Sequence, residues 1–158
     1  MARRMYQSAD DKQREELAIQ VYCRGFDEFY RKNPIDYRAD WAVFDAGTKE
    51  LTEWVEVKCR DCAMTAYPDF YISVQKIVAG ITLAKMTKKP FRLLVAWVKK
   101  RNDTKVTYSL YEMRVYGMGK KITPGGRTDR GDKQDKEPVT HYPLDAFEYV
   151  GRFSFDEV

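Results

Sequence analysis

The sequence LTEWVEVKCR, residues 51–60, alternates between two sets of side chains with the period of a β-strand. One face of this predicted strand consists of Leu51, Val55, Val57 and Cys59. The opposite face consists of Trp54, Glu56 and Lys58. A carboxylate and an amine are therefore predicted to project from the same side of one strand.

The preceding run YRADWAVFD, residues 37–45, alternates in the same way and places Asp40 on a face with Ala42 and Phe44. Burying an unpaired carboxylate is costly, and a bound cation is one common compensation. If the two runs form adjacent strands, Asp40, Glu56 and Lys58 converge on one surface of the sheet.

Such a surface has the groups that metal-dependent phosphodiester cleavage needs. Mg²⁺ and Mn²⁺ require hard oxygen ligands, and a nearby amine can orient the attacking water or stabilise charge developing on phosphorus. The alternative is a solvated strand surface with an incidental ion pair, because an Asp followed at variable distance by Glu-x-Lys also occurs by chance.

The order Asp40, then Glu56-Val57-Lys58, then a helix resembles the PD-(D/E)XK nuclease superfamily, in particular its small resolvase-like or phage-encoded members. The resemblance covers roughly residues 10–115, including YISVQK at 71–76 and FRLLVAW at 91–97. Ala39 stands where the superfamily name has proline. The resemblance implies a core of a helix, a three-stranded antiparallel meander, a second helix and a further strand beside the meander.

The resemblance also implies roles for individual residues. Asp40, Glu56 and the Val57 carbonyl would hold Mg²⁺ or Mn²⁺, and Lys58 would position or activate water. An acidic residue on the first helix often assists the metal in this superfamily. Glu15 lies in the middle of the apolar stripe of that helix and Glu16 at its edge, so Glu15 is the preferred candidate. An exposed first-turn glutamate favoured by the helix dipole is the alternative.

The first turns of the second helix often carry a glutamine or lysine that faces the metal site and touches the scissile phosphate. Lys76 is the catalytic candidate there, and Gln75 is the competing choice. The alternative for Lys76 is an ordinary surface lysine, because most lysines are exposed whatever their role.

The remaining segments predict an α/β fold with a mixed central sheet flanked by helices, in the restriction-endonuclease-like order α-β-β-β-α-β. A first helix is expected at residues 10–24 and a second at 71–86, after an irregular connection at 60–70. The apolar run FRLLVAWV, residues 91–98, predicts a central strand covered on both faces. Residues 106–115 predict a strand at the edge of the sheet.

Residues 117–138 have no apolar periodicity and predict a long flexible loop with basic and acidic residues. Its candidate phosphate contacts are Lys120, Lys121, Arg127 and Arg130. A solvated loop is the alternative, because acidic residues offset much of this charge. After the loop, a short strand at 139–142 and a helical segment starting at Pro143 are expected, with Leu144, Phe147 and Val150 packing on the core.

Length and composition agree with one domain spanning residues 1–158. A net charge of +4 and a pI near 8.9 lean only mildly toward polyanionic partners. The sequence has no stretch suited to a bilayer and no signal peptide, so a cytoplasmic protein without membrane contact is expected. The motif Cys59-x-x-Cys62 has no second paired motif to complete a zinc site. His141 is the only histidine, and no nucleophile elbow accompanies it that would indicate a catalytic nucleophile paired with histidine.

Together these features predict a Mg²⁺- or Mn²⁺-dependent deoxyribonuclease, an endonuclease or exonuclease, with DNA as its partner. The alternative is a catalytically inactive protein of the same fold that binds nucleic acid or a protein partner. Small size and no obvious recognition module favour structure- or junction-selective cutting, or assembly as a homodimer, over sequence-specific restriction.

Overall fold

The computed structural model describes residues 9–24, 28–33, 39–125 and 137–156. This part of the chain forms two helices and nine strands, with 3₁₀ turns at Met64–Ala66 and Leu144–Ala146. The helices are α1 (Ala9–Cys23) and α2 (Val74–Thr87). The strands are β1 (Glu28–Lys32), β2 (Trp41–Asp45), β3 (Leu51–Arg60), β4 (Asp69–Ser73), β5 (Phe91–Arg101), β6 (Lys105–Arg114), β7 (Lys121–Pro124), β8 (Pro138–Pro143) and β9 (Glu148–Asp156).

A six-stranded mixed sheet with the order β1-β2-β3-β5-β6-β9 forms the centre of the fold. β1, β2 and β3 are an antiparallel meander, and β5 lies beside β3 in parallel. Parallel neighbours need a long crossover, which is supplied here by the segment that contains β4 and α2. The predicted α/β fold with its α-β-β-β-α-β order is therefore confirmed.

The sheet separates two hydrophobic cores. On one face, Ala18 and Ile19 of α1 pack against Val55, Val57 and the neighbouring strands. On the other face lie α2 and a small three-stranded sheet with the order β4-β8-β7. β5 contributes to both cores, with Leu94 and Ala96 on the α1 side and Leu93 and Val95 on the α2 side. This double burial explains the nearly continuous apolar run of β5.

Helix α2 approaches the sheet closely at Gly80. A Cβ atom at this position would lie 2.2 Å from Cε2 of Phe91, whose side chain is 1% exposed. Lys76 precedes Gly80 by four residues and so lies on the same face of the helix. The absent side chain at Gly80 therefore lets α2 bring Lys76 close to β3.

Residues 71–73 were expected to begin the second helix, and this boundary is wrong. They belong to β4, which pairs with β8 and alternates between the exposed Tyr71 and the buried Phe70 and Ile72.

Leu51 was also assigned to the wrong face. A register shift in the β2–β3 pairing, where Val43 opposes Glu53 and Phe44 opposes Leu51, turns Leu51 toward the same core as Trp54.

The end of the chain differs from the prediction as well. β6 is not at the edge of the sheet, because β9 pairs with it along most of its length. Val150 lies in β9 and is exposed, although Phe147 is buried as predicted. The predicted 117–138 loop contains β7, which pairs with β8. Arg127 and Arg130 lie outside the described residues, and the assignment of residues 1–158 to a single domain stays a prediction.

No helix in the described part of the chain is both long and apolar enough to cross a membrane.

The contact between Gly80 and Phe91 gives a test of the packing. Replacing glycine by alanine inside a helix normally stabilises it by about 1 kcal/mol. We expect Gly80→Ala to lower the free energy of unfolding by about 1–3 kcal/mol, because the new methyl group overlaps a buried ring. Urea denaturation measures this change. Gly117→Ala is the control, since a Cβ atom there meets nothing within 4 Å. A stabilised Gly80→Ala variant would contradict this packing.

Candidate active site

Glu56 and Lys58 project from the α2-facing side of β3, as the alternation of the strand predicted. The Glu56 side chain is 0% exposed, and its Oε2 atom lies 3.7 Å from Nζ of Lys58. Neither carboxyl oxygen of Glu56 receives a hydrogen bond from a nitrogen or hydroxyl donor in the described part of the chain. A completely buried carboxyl group is thus held mainly by ionic contacts.

Asp40 lies just before β2, next to the middle of β3. The backbone N–H of Val57 donates a hydrogen bond of 3.3 Å to Oδ2 of Asp40, which fixes the carboxylate beside the strand that carries Glu56. The Val57 side chain is buried in the α1-side core. The backbone of Val57 therefore runs along the site, as expected for a residue whose carbonyl is a candidate metal ligand.

Lys76 reaches the same place from the first turn of α2. Its Nζ atom lies 3.9 Å from Oδ1 of Asp40 and 3.9 Å from Oε1 of Glu56. Gln75 is exposed on the neighbouring face of the helix. Of the two candidates on this helix, the structure brings Lys76 to the carboxylates.

The first helix contributes Glu15, whose side chain is buried against the sheet, whereas Glu16 is exposed. Glu15 meets the site through Lys32 of β1. The Nζ atom of Lys32 lies 3.8 Å from Oε1 of Glu15 and 3.7 Å from Oδ1 of Asp40. It also stands 5.1 Å from the centre of the Trp41 ring, a cation–π contact.

Lys32 was not predicted from the sequence. The strand that carries it, EFYRK, has no clean alternation of apolar and polar residues, and its burial is only partial. A basic residue eight positions before the candidate metal ligand Asp40 was the available signal. That signal is weak, because only the β1–β2 pairing brings Lys32 opposite Trp41.

The two carboxyl groups have opposite titration behaviour. Burial, and after it the negative charge of Asp40, raises the pKa of Glu56 well above its ordinary value of 4.5. Burial also acts to raise the pKa of Asp40. A hydrogen bond from Glu56 and the charges of Lys58, Lys32 and Lys76 outweigh that effect, so the pKa of Asp40 is lowered from 3.8. Asp40 therefore ionises more readily than Glu56.

This donor set fits a divalent cation of the Mg²⁺ type. Mg²⁺ is usually held by one or two carboxylates and completes its shell with waters and substrate phosphate. Asp40 and Glu56 supply two carboxylates, and the buried oxygens of Glu56 have no hydrogen bond from a nitrogen or hydroxyl donor among the described residues. No group of three or more His, Cys, Asp or Glu residues in the described ranges could hold a metal by itself. Glu15 in particular is separated from Asp40 by the Lys32 ammonium.

The other candidate residues lie elsewhere. Lys120 and Lys121 are exposed on the small sheet, where the Lys120 N–H donates to the carbonyl of His141 and Lys121 opposes His141 in the strand pairing. The imidazole of His141 is occupied by hydrogen bonds with Asp69 and Thr123. Cys23, Cys59 and Cys62 form no disulfide, and Cys59 and Cys62 face different cores.

The raised pKa of Glu56 predicts a cost in stability when no metal is present. A group whose pKa is raised by folding stabilises most below its unfolded value, here about 4.5, and this contribution is lost as the pH rises through the folded pKa. We therefore expect Glu56→Gln to raise the free energy of unfolding at neutral pH by on the order of 1 kcal/mol.

Urea denaturation in chelator-treated buffer between mildly acidic and neutral pH checks this prediction. The advantage of Glu56→Gln over the wild type should grow as the pH rises. Glu50→Gln, which changes an exposed carboxylate in the β2–β3 turn, serves as the control and should have little effect at any pH. A Glu56→Gln protein less stable than the wild type at neutral pH would show that ionised Glu56 does not destabilise the fold.

Comparison with known proteins places this chain in a family. No curated protein matches the chain. Among solved structures, a Holliday junction resolvase, Hjc, from the archaeal hyperthermophile Archaeoglobus fulgidus is similar over 63% of this chain and 72% of that chain, with 12% sequence identity and a TM-score of 0.40. The family described as "Phage putative PDDEXK endonuclease" matches residues 1–150. Because this match spans nearly the whole chain, the protein belongs to the phage PDDEXK endonuclease family.

Proposed function

We propose that this protein is a Mg²⁺- or Mn²⁺-dependent deoxyribonuclease that hydrolyses phosphodiester bonds in DNA. The observation that carries the proposal is the convergence of Asp40, Glu56, Lys58 and Lys76 from three different parts of the fold within ion-pair distances. A surface without a catalytic role would not need a fully buried glutamate beside a second carboxylate, since such a pair lowers the stability of the fold. Membership of an endonuclease family supports the same conclusion.

In this proposal Asp40, Glu56 and the Val57 carbonyl hold the metal. When bound, the cation supplies Lewis-acid stabilisation of the charge that develops on the phosphate oxygens. Glu56 acts as a ligand in its ionised form, which the nearby ammonium groups of Lys58 and Lys76 favour. Glu15 assists the metal through water and restrains Lys32.

The lysines have separate tasks in the proposed reaction. Lys58 lies beside Glu56 on β3 and positions the attacking water or stabilises charge on the transferring phosphoryl group. Lys76 approaches from α2, on the open side of the two carboxylates, and contacts the scissile phosphate. Lys120 and Lys121, exposed on the small sheet, contact phosphates farther along the strand.

Metal binding gives the first test. Because a divalent cation binds the folded state and relieves the repulsion between Asp40 and Glu56, it should stabilise the protein by about 2.7 kcal/mol at 100 times its Kd. This corresponds to a rise in Tm of several degrees, measured by thermal denaturation with Mg²⁺ or Mn²⁺. Asp40→Asn should abolish the rise, while Asp103→Asn, in the exposed β5–β6 turn, should keep it. An Asp40→Asn variant with the full shift would exclude Asp40 as a ligand.

The second test separates the enzyme from an inactive binding protein of the same fold. We expect Lys58→Ala to reduce cleavage of labelled DNA by roughly 100-fold or more while DNA affinity in Ca²⁺ stays similar. The reason is that an interaction used mainly in the transition state affects turnover before affinity. Single-stranded, duplex, flap and four-way-junction substrates should all be assayed in Mg²⁺ and Mn²⁺.

Lys85→Ala is the matched control, because Lys85 is exposed near the end of α2 and far in sequence from the carboxylates. It should cut as the wild type does. If the wild type binds DNA but cuts no member of the panel, or if Lys58→Ala cuts at the wild-type rate, the enzyme proposal fails.

A further inference from the structure

Arg60 continues the row of polar side chains that forms the candidate active site. It follows Lys58 by two residues in β3 and so lies on the same face of the strand, about 6.6 Å farther along. Its guanidinium carbon stands 4.8 Å from the ring centre of Phe70 and 5.8 Å from that of Tyr71. The Nη2 group donates a hydrogen bond of 2.7 Å to the Tyr71 carbonyl.

The structure describes no anionic partner for this guanidinium in residues 9–24, 28–33, 39–125 and 137–156. Among the described residues, no carboxylate forms an ion pair with Arg60, although Arg92 and Arg101 on the neighbouring strand each pair with acidic side chains. Burial lowers the pKa of Arg60, and the effects that oppose it come from Tyr71, Cys62 and Cys59 and not from a carboxylate. A guanidinium has five N–H donors, so the hydrogen bond to Tyr71 leaves most of them available. A phosphate is the ligand that the forked N–H donors of a guanidinium bind best.

Beside Arg60, Tyr71 presents an exposed ring. Its side chain is 43% exposed, although it lies in a strand whose alternate residues are buried. The ring lies next to His141, with ring centres 5.8 Å apart and ring planes tilted by 43°. His141 is itself fixed, since Asp69 and Thr123 bind its two nitrogens at 3.0 and 2.7 Å. The tyrosine ring is thus supported from β8 and held beside Arg60.

The row continues across the small sheet to a second cation. Tyr71 opposes His141, and His141 opposes Lys121, so the three side chains lie on the same face of three neighbouring strands. Counted from the candidate active site, the order is carboxylates, Lys58, Arg60, Tyr71, His141 and Lys121. Cations on both sides of an exposed aromatic ring are the pattern by which proteins bind single-stranded nucleic acid.

We propose that Arg60 and Tyr71 form a subsite for the nucleotide next to the scissile bond, with Arg60 binding its phosphate and Tyr71 stacking on its unpaired base. The subsite rests on the proposed function, because it names the substrate class of that same site. In a duplex both faces of each base are covered by its neighbours, so stacking on Tyr71 requires a single-stranded or branched region. Lys121 contacts a phosphate farther along the same strand.

The chain contains a matched control pair. The guanidinium carbon of Arg114 stands 4.8 Å from the ring centre of Tyr116, which is 77% exposed. Arg114 opposes Arg92 near the start of β5, whereas Arg60 lies beside Trp97 toward its other end. Both pairs are an arginine in cation–π contact with a tyrosine, at 5.8 Å for Arg60 and Tyr71 and 4.8 Å for Arg114 and Tyr116, but they lie at opposite ends of the sheet.

The test uses a single-stranded oligonucleotide that contains 2-aminopurine, whose fluorescence is quenched when it stacks on an aromatic ring. Binding is titrated in Ca²⁺ at several salt concentrations, with a duplex of the same sequence alongside. Tyr71→Leu should abolish the quenching and weaken single-strand binding by roughly 10-fold, while duplex binding changes little. Arg60→Gln should reduce the salt slope by about 0.7, the value for one phosphate contact with a single strand.

Tyr116→Leu and Arg114→Gln should behave as the wild type does in every titration. Because Arg60 also joins β3 to β4, Tm values are compared for all variants, and Tyr71→Phe should restore both quenching and affinity. Wild-type quenching, affinity and salt slope in Tyr71→Leu and Arg60→Gln would overturn the subsite, even if the protein cuts DNA. Losses confined to these two variants would support it, even if the wild-type protein cuts nothing.

Discussion

The buried carboxyl group of Glu56 is the constraint on which the rest of this structure depends. It lies beside Asp40 in the interior of the sheet, where two negative charges cannot coexist without compensation. Among the described residues, compensation comes from Lys32 of β1, Lys58 of β3 and Lys76 of α2, each within 4 Å of a carboxylate oxygen. The meander and the helix that follows it are what bring these charges together.

Packing contacts outside the candidate active site hold these charged side chains in place. Helix α2 brings Lys76 over β3 only because Gly80 lets the helix lie against Phe91. Helix α1 covers the opposite face of the sheet and holds Glu15 against Lys32. The small sheet packs on the α2-side core through Phe70, Ile72 and Tyr142, leaving its outer face, with Tyr71 and Lys121, exposed next to β3. Hydrophobic packing on both sides of the sheet thus offsets the cost in stability of burying the Glu56 carboxyl group.

Local patterns in the sequence predicted which side chains of β3 share a face and which glutamate of α1 is buried. The two-residue period of β3 placed Glu56 and Lys58 on one face, and helical spacing selected Glu15 over Glu16. Both inferences depend only on residues close together in the chain. Lys32 escaped prediction because its position depends on the pairing of a short strand without clear alternation. The β9 strand was missed for a similar reason, since its sequence EYVGRFSFD contains a glycine and buries only Phe153 and Phe155.

Asp40 and Glu56 are proposed to hold a divalent cation together, and Mn²⁺ is the ion to use because its anomalous scattering identifies it in a crystal. Diffraction data should be collected from crystals equilibrated with Mn²⁺, beside crystals of the Asp40→Asn variant. We expect an anomalous peak at coordination distance from carboxylate oxygens of both Asp40 and Glu56, and no such peak in the variant. Saturating Mn²⁺ with no peak between these carboxylates, or with a peak only elsewhere on the protein, would contradict it.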